Sequence, residues 1–269
     1  EDLDTCDSIV ISSSTGSHIN YLKKFIKKDK FLYCEKPGPI NYKELNFIKN
    51  LKKRIKQKIF FGQNLIYSDL NFFLKKIILE KNLGIPIYSN INITNGISFK
   101  KEMSKNWRFT SKSIFQKLTG NVGIHYLGLM RDNFGAIKNI KMKQFGALKN
   151  HKIDNSLIDV EFRNNFGCKI FLSYSTIAND EINIYFTNGQ IHFDGKRLIL
   201  YYPRDVFNKK GNFIKPKKKI IKIFSKSWSE NSLKKTMDIF LKKSLNKKNF
   251  NSIELNNFLD TNKLFLNLT

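Results

Sequence analysis

Phe31-Leu32-Tyr33-Cys34-Glu35-Lys36-Pro37 decides how this chain is read. Four apolar residues in succession, bounded by Lys30 and by the turn Pro37-Gly38-Pro39, have the length and composition of a buried strand. Proline lacks an N–H and fixes φ, so the strand must end there. Glu35 and Lys36 are therefore left at its carboxyl edge, the edge at which open α/β sheets bind ligands. Two such residues alone fit a solvated pair at a strand end better than a site, and the decision falls to the sequence on either side.

Upstream, the apolar run Ser8-Ile9-Val10-Ile11 gives way to Ser12-Ser13-Ser14-Thr15-Gly16-Ser17 and then to a helical pattern at Ile19, Leu22, Phe25 and Ile26. This is strand, polar loop and helix, with Ser or Thr placed to cap the helix. Backbone N–H groups at such a start favour an anion, so the loop could lie against a phosphate. Downstream, a helix through Tyr42, Leu45, Ile48 and Leu51 leads to a third strand at Lys58–Asn64. Strand–helix–strand–helix–strand at this pitch predicts a parallel sheet covered by helices, with right-handed crossovers. A further helix over Leu70–Lys81 ends at Asn82-Leu83-Gly84-Ile85-Pro86.

Beyond Gly84 the periodicity changes. Ile87–Thr94 alternates as a half-exposed strand does, and strand-like runs follow at Ile137–Phe145, Leu157–Phe162, Lys169–Ser175, Ile182–Phe186, Gln190–Phe193 and Leu198–Tyr202. Asn164-Asn165-Phe166-Gly167 and Thr187-Asn188-Gly189 are turns between them. One helix interrupts the series from about Asn121 to Asn133, and two close the chain at about Ser232–Ser244 and Ser252–Leu268. The expected class is α/β plus α+β. Residues 1–83 form a partial parallel sheet, and 84–269 a mainly antiparallel sheet of at least five strands with helices on one face.

The chain has 269 residues and a net charge of +26. That charge is nearly all lysine, spread among Asn, Ile and Phe. Arginine, the residue best suited to phosphate forks, is confined to Arg54, Arg108, Arg131, Arg163, Arg197 and Arg204. No nucleic-acid partner is expected, and the densest run, Lys215-Pro216-Lys217-Lys218-Lys219, reads as a solvated loop. No apolar run approaches the roughly 20 residues of a membrane span, so no membrane partner is expected either. Cys6, Cys34 and Cys168 have no metal-like spacing, which fits a reduced cytoplasmic protein with no metal site.

Gly120-Asn121-Val122-Gly123-Ile124-His125-Tyr126-Leu127 opens the interrupting helix. Asn121 and His125 stand at i and i+4 and so share a face. A lone helical histidine is commonly structural, but here a polar partner one turn earlier and a glycine-bearing loop favour a site. Asn106-Trp107-Arg108 places an aromatic plane beside a guanidinium, which could cover a ring or a phosphate or could simply be a packing pair.

Together these motifs resemble the Gfo/Idh/MocA family (glucose–fructose oxidoreductase, inositol dehydrogenase, rhizopine catabolism). The order and spacing of Ser8–Ile11 with its Ser/Thr loop and His18, Cys34-Glu35-Lys36-Pro37, Lys58–Asn64, Leu83-Gly84, Trp107-Arg108 and Asn121-x-Gly-x-His125 agree over nearly the whole chain. The successions Asp154–Phe162, Gly167–Ser175 and Gly189–Gly195 are similar to that family's sheet domain. The resemblance implies a partial dinucleotide-binding (Rossmann-type) domain at 1–83 and a substrate and oligomerisation domain at 84–269. It implies an NAD- or NADP-dependent oxidoreductase that transfers a hydride between the nicotinamide and a hydroxyl or keto group of a sugar or sugar nucleotide, assembled as a homo-oligomer through the second-domain sheet. Lys36 and His125 match the family's catalytic pair, with Asn121 beside them in substrate binding. Ser12, Ser14, Thr15, His18, Glu35, Trp107 and Arg108 fall at the cofactor.

Three departures qualify the match. No G-x-G-x-x-G occurs, so the expectation is either that these residues are the protein without an N-terminal segment or that the protein lacks the half that grips the pyrophosphate. On either account Ser8–Ile11 is expected to present an unpaired apolar edge, and NAD(P) binding by these residues alone to be weak. Asn121 replaces a common Asp, as in members resembling UDP-N-acetylglucosamine-uronate 3-dehydrogenases. Gly128 stands where an acidic residue often follows the histidine by three. A truncated or non-catalytic relative acting as a binding or assembly subunit is the alternative reading, against which the retention of both Lys36 and His125 argues. The Lys36 ammonium and the His125 ring are expected to face one cleft between the domains, bordered by the Ser12–Thr15 loop and Trp107-Arg108.

Overall fold

A computed structural model describes residues 5–80, 83–106, 109, 117–148, 153–225 and 228–268. In chain order its first elements are β1 (Ser8–Ile11), α1 (His18–Phe25), β2 (Phe31–Cys34), α2 (Tyr42–Lys49), the single turn α3 (Lys53–Lys56), β3 (Ile59–Phe61), α4 (Asp69–Leu79) and β4 (Pro86–Thr94). Then come α5 (Ile124–Phe134), β5 (Ile137–Phe145), β6 (Asn155–Phe162), β7 (Gly167–Ser173), β8 (Asn179–Phe186), β9 (Gly189–Phe193), β10 (Arg197–Tyr201), β11 (Lys218–Ile223), α6 (Trp228–Leu245) and α7 (Ser252–Leu266). The chain divides into two compact units, one drawn from Glu1–Ser68, Ser111–Arg131 and Ser229–Thr269, the other from Asp69–Thr110 and Asp132–Trp228.

The first unit is built on a parallel sheet in the order β1-β2-β3, with Ser8 opposite Phe31 and Leu32 opposite Ile59. All four residues of the central strand are buried, as a strand covered on both faces requires. Side chains alternate across it. Phe31 and Tyr33 join Phe60, Phe240 of α6 and Phe250 in one aromatic cluster. Within it the Tyr33 and Phe240 rings meet edge-on at 5.4 Å, and Phe60 and Phe250 lie 5.0 Å apart. Each buried phenyl contributes about 1.5–3 kcal/mol. Edge strand β1 is less protected, with Val10 46% exposed.

Local chemistry sets the helix ends. The Asn41 side chain accepts from the Glu44 N–H at 2.9 Å, and the Glu44 carboxylate accepts from the Ile40 N–H at 2.9 Å, a reciprocal cap on α2. Asn41→Ala should cost about 1 kcal/mol in urea denaturation. The expected Ser or Thr side-chain cap on α1 is not formed. The helix is entered through a 3-10 turn, Thr15–Ser17, and Ser17 has helical rather than extended dihedrals. Its hydroxyl turns back to Ser13 Oγ and to the Ser14 carbonyl, each at 2.8 Å. The third strand is also shorter than expected. After Phe61 the Gln63 N–H donates to the Phe61 carbonyl at 2.8 Å, a tight reversal that ends the ladder before Asn64.

The second unit carries an eight-stranded sheet in the order β11-β10-β9-β8-β4-β7-β6-β5. Every pairing is antiparallel except β4 with β7, so the first strand of this sheet in sequence is internal to it in space. Ile91, Ile158, Val160, Ile170, Leu172, Ile182, Ile184, Ile191 and Phe193 are buried, while Asp159, Glu161 and Lys169 are exposed. This is the alternation of a sheet with one covered face. The solvated loop expected at Lys215–Lys219 is corrected in part: Lys215, Pro216 and Lys217 lie outside any strand and the four lysines are exposed, but Lys218–Ile223 is strand β11, paired with β10. Its lysines hid it, because edge strands carry lysine on positions that a central strand would fill with apolar residues.

Candidate functional site

Parallel strands place their carboxyl ends along one edge, and in the first unit that edge gathers Ser12 after β1, Glu35 and Lys36 after β2, and Gln63 and Asn64 after β3. The Lys36–Pro37 peptide is cis, and Gly38 follows with φ +81°. The turn packs on α7, where Asn262 Nδ2 donates to the Pro37 carbonyl at 2.8 Å.

The Lys36 ammonium donates to both the backbone carbonyl and the side-chain Oδ1 of Asn121, each at 2.7 Å. These two residues are 85 positions apart. Asn121 lies in a π-helical turn, Thr119–Gly123, that runs directly into α5. Thr-Gly-Asn-Val-Gly is a poor α-helix former, and a widened turn is a low-cost conformation for it. In a regular α-helix the Asn121 carbonyl would serve the His125 N–H; here the lysine reaches it. Asn121 therefore holds Lys36 in place.

His125 follows one turn later. The residue is partly exposed, but its Nδ1 is buried and has no hydrogen-bond partner. Burial, and then the field of the Lys36 ammonium, push its pKa well below the ordinary 6.5. At neutral pH the imidazole is thus uncharged and able to accept a proton.

The other expected residues are placed as follows. His18 is 1% exposed, and its Nε2 donates to the Ser13 carbonyl at 2.8 Å. It is a buried brace for the serine loop. Ser12 and Ser14 are exposed and Thr15 partly so, with open space around Gly16. Glu35 accepts from the Tyr33 hydroxyl at 2.9 Å, and Tyr33, buried beside that carboxylate, has its pKa raised. Trp107 and Arg108 lie outside the described residues. Burial also raises the Cys34 thiol, and that of Cys168 to about 12, which leaves both unreactive. Among the described residues no group of three or more His, Cys, Asp or Glu is placed to hold a metal, and no helix is long and apolar enough to cross a membrane.

Gln63 was not singled out by the sequence. Its Nε2 is buried without a partner, as are Asn64 Oδ1 and His18 Nδ1. The cue was the one that marked Lys36, polar residues following an apolar strand.

Two histidines with lowered pKa have a consequence for stability. The unfolded chain takes up protons near pH 6.5 while the folded chain resists them. The stabilisation these two groups give is complete above that pH and is lost progressively as pH falls toward their folded values. Urea denaturation between pH 7.5 and 5 should show stability falling by at most about 1.4 kcal/mol per pH unit for each histidine. The double variant His18→Gln, His125→Gln should flatten that slope.

No protein-family profile matches the chain. Among curated proteins it is 25% identical to Oxidoreductase P35 of Formosa agariphila over 197 residues, which is 71% of this chain and 60% of that protein. It is 23% identical to glucose-6-phosphate 3-dehydrogenase of Bacillus subtilis over 130 residues, 48% of this chain and 37% of that one. The chain thus spans less than two thirds of the length of these curated relatives. Among solved structures, an NAD-binding oxidoreductase from Klebsiella pneumoniae superposes with a TM-score of 0.78 at 16% identity, covering 97% of this chain and 76% of that one. The last likeness is one of fold: a three-stranded parallel sheet and a mostly antiparallel sheet with helices, as in NAD-binding oxidoreductases.

Proposed function

We propose that the chain belongs to an NAD(P)-dependent oxidoreductase of the Gfo/Idh/MocA kind that interconverts a hydroxyl and a keto group on a sugar or sugar nucleotide. One observation carries this reading. A strand-end lysine clamped by Asn121 lies within electrostatic reach of a helical histidine that is kept neutral.

In the oxidation direction, the neutral His125 ring takes the hydroxyl proton as the carbonyl forms. Lys36 stabilises the negative charge that develops on the same oxygen. Two of its three ammonium protons go to Asn121, which fixes the direction of that cation before substrate arrives. The nicotinamide, when bound, supplies the acceptor for the hydride leaving carbon. The exposed hydroxyls of Ser12 and Ser14 and the open space at Gly16 fit a polar, ribose- or phosphate-bearing group, with His18 bracing the loop from beneath. A relative that is a glucose-6-phosphate 3-dehydrogenase supports the sugar class.

The division of labour proposed with this activity puts the cofactor on residues 1–83 and the substrate and subunit contacts on 84–269, in a cytoplasmic homo-oligomer. The eight-stranded sheet supports the subunit contact. Beside its exposed charges it carries an ordered polar network, in which Asn183 Oδ1 accepts from Gln190 Nε2 at 2.9 Å and is 2.8 Å from His192 Nδ1. Its Nδ2 donates to Glu181 at 2.9 Å.

The test is a scan of the whole protein with NAD and NADP against sugars, sugar phosphates and UDP-sugars, following absorbance at the reduced nicotinamide band. Turnover of at least one substrate is expected. Absence of both nicotinamide binding and turnover in the whole protein would reject the reading.

A further inference from the structure

We propose that Gln63 is a positioning residue for the His125 imidazole, its carboxamide occupying the space over the histidine's turn that a side chain at position 128 would otherwise fill. The proposal rests on the reading of His125 as the acid/base of the site.

Gln63 stands just beyond β3 and is 7% exposed. A Cβ built on Gly128 would lie 3.1 Å from its Nε2, 3.4 Å from its Cδ and 3.6 Å from its Oε1, so the whole carboxamide is laid against that glycine. Gly128 is one turn after His125 on the same face of α5. Helical side chains lean toward the helix N-terminus, and the spot that a residue covers lies over the preceding turn. An amide in the place of side chain 128 is accordingly set above the turn that carries His125.

Both sides of this arrangement hold an orphan. Gln63 Nε2 and His125 Nδ1 are each buried without a hydrogen-bond partner. Folded proteins leave few such atoms, and each calls for an explanation. The chemistry of the site supplies one. Nδ1 is buried; if Nε2 of His125 receives the substrate proton, the resting proton must sit on Nδ1, which then needs an acceptor. A half-turn of the Gln63 carboxamide exchanges N for O in nearly the same volume. Since Nε2 has no partner to lose, that turn breaks no bond at the nitrogen. Turned in this way and drawn toward the ring, the oxygen can accept from Nδ1–H in both the neutral ring and the imidazolium, which fixes the tautomer through the proton cycle. Among the described residues the charged group acting on His125 is Lys36, at the end of β2. A neutral amide leaves the ring uncharged beside that cation, where a carboxylate would favour the imidazolium.

The experiment follows the ring nitrogens of His125 by NMR in the whole chain labelled with 15N-histidine. In the unsubstituted protein the neutral ring should carry its proton on Nδ1. Gln63→Glu should raise the titration midpoint of His125 by about one to two units and move the acid limb of kcat/KM to higher pH by the same amount. Gln63→Met, similar in volume and without the amide, should redistribute the proton between the two nitrogens with no comparable rise. A titration that is the same in the unsubstituted protein and in folded Gln63→Glu would overturn the proposal. Should that variant not fold, the unsubstituted protein carries the test, since Gln63 carboxamide protons must show a nuclear Overhauser contact to the His125 ring. Absence of that contact overturns the proposal too. The ring titration needs no substrate. A shifted titration with no sugar turnover keeps the positioning role and rejects the dehydrogenase, and turnover with an unmoved titration does the reverse.

Discussion

His125→Ala and Lys36→Ala should each lower kcat of the whole enzyme by about two to four orders of magnitude while leaving nicotinamide affinity within a few-fold of its starting value. At 1.36 kcal/mol per decade that is about 3–5 kcal/mol of transition-state stabilisation. The two losses have different origins and different signatures. Without His125 the hydroxyl proton has no positioned acceptor. Without Lys36 the developing oxyanion loses its cation, and the histidine loses a neighbouring charge that lowers its pKa. Lys36→Ala should therefore also move the acid limb of the residual kcat/KM to higher pH, which His125→Ala cannot do. Asn121→Ala releases the clamp on Lys36 and should fall between these variants and the native enzyme. Steady-state kinetics with the accepted sugar, paired with cofactor titration by fluorescence, separates the effects. A kcat within tenfold of the native value for either Lys36→Ala or His125→Ala would remove that residue from the chemistry.

Gly38→Ala should destabilise the first unit by about 2–5 kcal/mol. With φ at +81°, an alanine there is strained by about 1–2 kcal/mol. Its Cβ would also meet Phe258 Cε1 at 2.6 Å and Cζ at 2.9 Å, and Asn262 Nδ2 at 3.2 Å. Phe258 is itself buried against Phe61, with ring centroids 4.6 Å apart, so it cannot swing away freely. Overpacking of this kind costs about 1–3 kcal/mol more. Urea denaturation reads the loss, and the double variant Gly38→Ala, Phe258→Leu divides it. The steric share should be partly restored and the dihedral share should not. Because Gly38 lies two residues from Lys36, the same substitution should loosen the ammonium's hold on Asn121. A loss under 1 kcal/mol would mean that the turn re-forms around the methyl group.

The parts of the fold that were legible in the sequence were those in which one strong rule acts alone. Phe31–Cys34 is a strand because a run of four large apolar residues ended by proline has few other uses, and its bounds match the structure to the residue. Ile137–Phe145 matches as well. Asn155–Phe162 begins two residues before the expected Leu157, because its first two residues, Asn155 and Ser156, are polar yet buried. What escaped were features decided by contact. A Ser or Thr cap was expected on α1, yet the Ser17 hydroxyl at its start turns to Ser13 and the Ser14 carbonyl instead. At the site, the sequence marked Lys36, Asn121 and His125, and paired the last two on one helix face. It could not give the bond that joins the first two, because a lysine ammonium seeking a backbone carbonyl leaves no trace in residue type. The contact between Gln63 and Gly128 was hidden for the same reason. The glycine marks only an absence, and what fills it comes from another element.

The two outermost strands of the eight-stranded sheet have something in common. β11 carries Lys218, Lys219 and Lys222, and at the opposite limit β5 carries Lys138, Lys141 and Lys143. An open strand edge invites a neighbouring molecule to continue the ladder, and like charges along it oppose that. The protection is electrostatic, and so it has a range. It reaches about 10 Å in 0.1 M salt and about 3 Å in 1 M. Dilute buffer should therefore keep the open edges of separate molecules from pairing, and concentrated salt should let them pair, giving turbidity that rises with ionic strength rather than falling. A preparation of this protein would be purified and stored at low salt, and part of the lysine excess that resembles a nucleic-acid-binding surface would be what keeps it in solution.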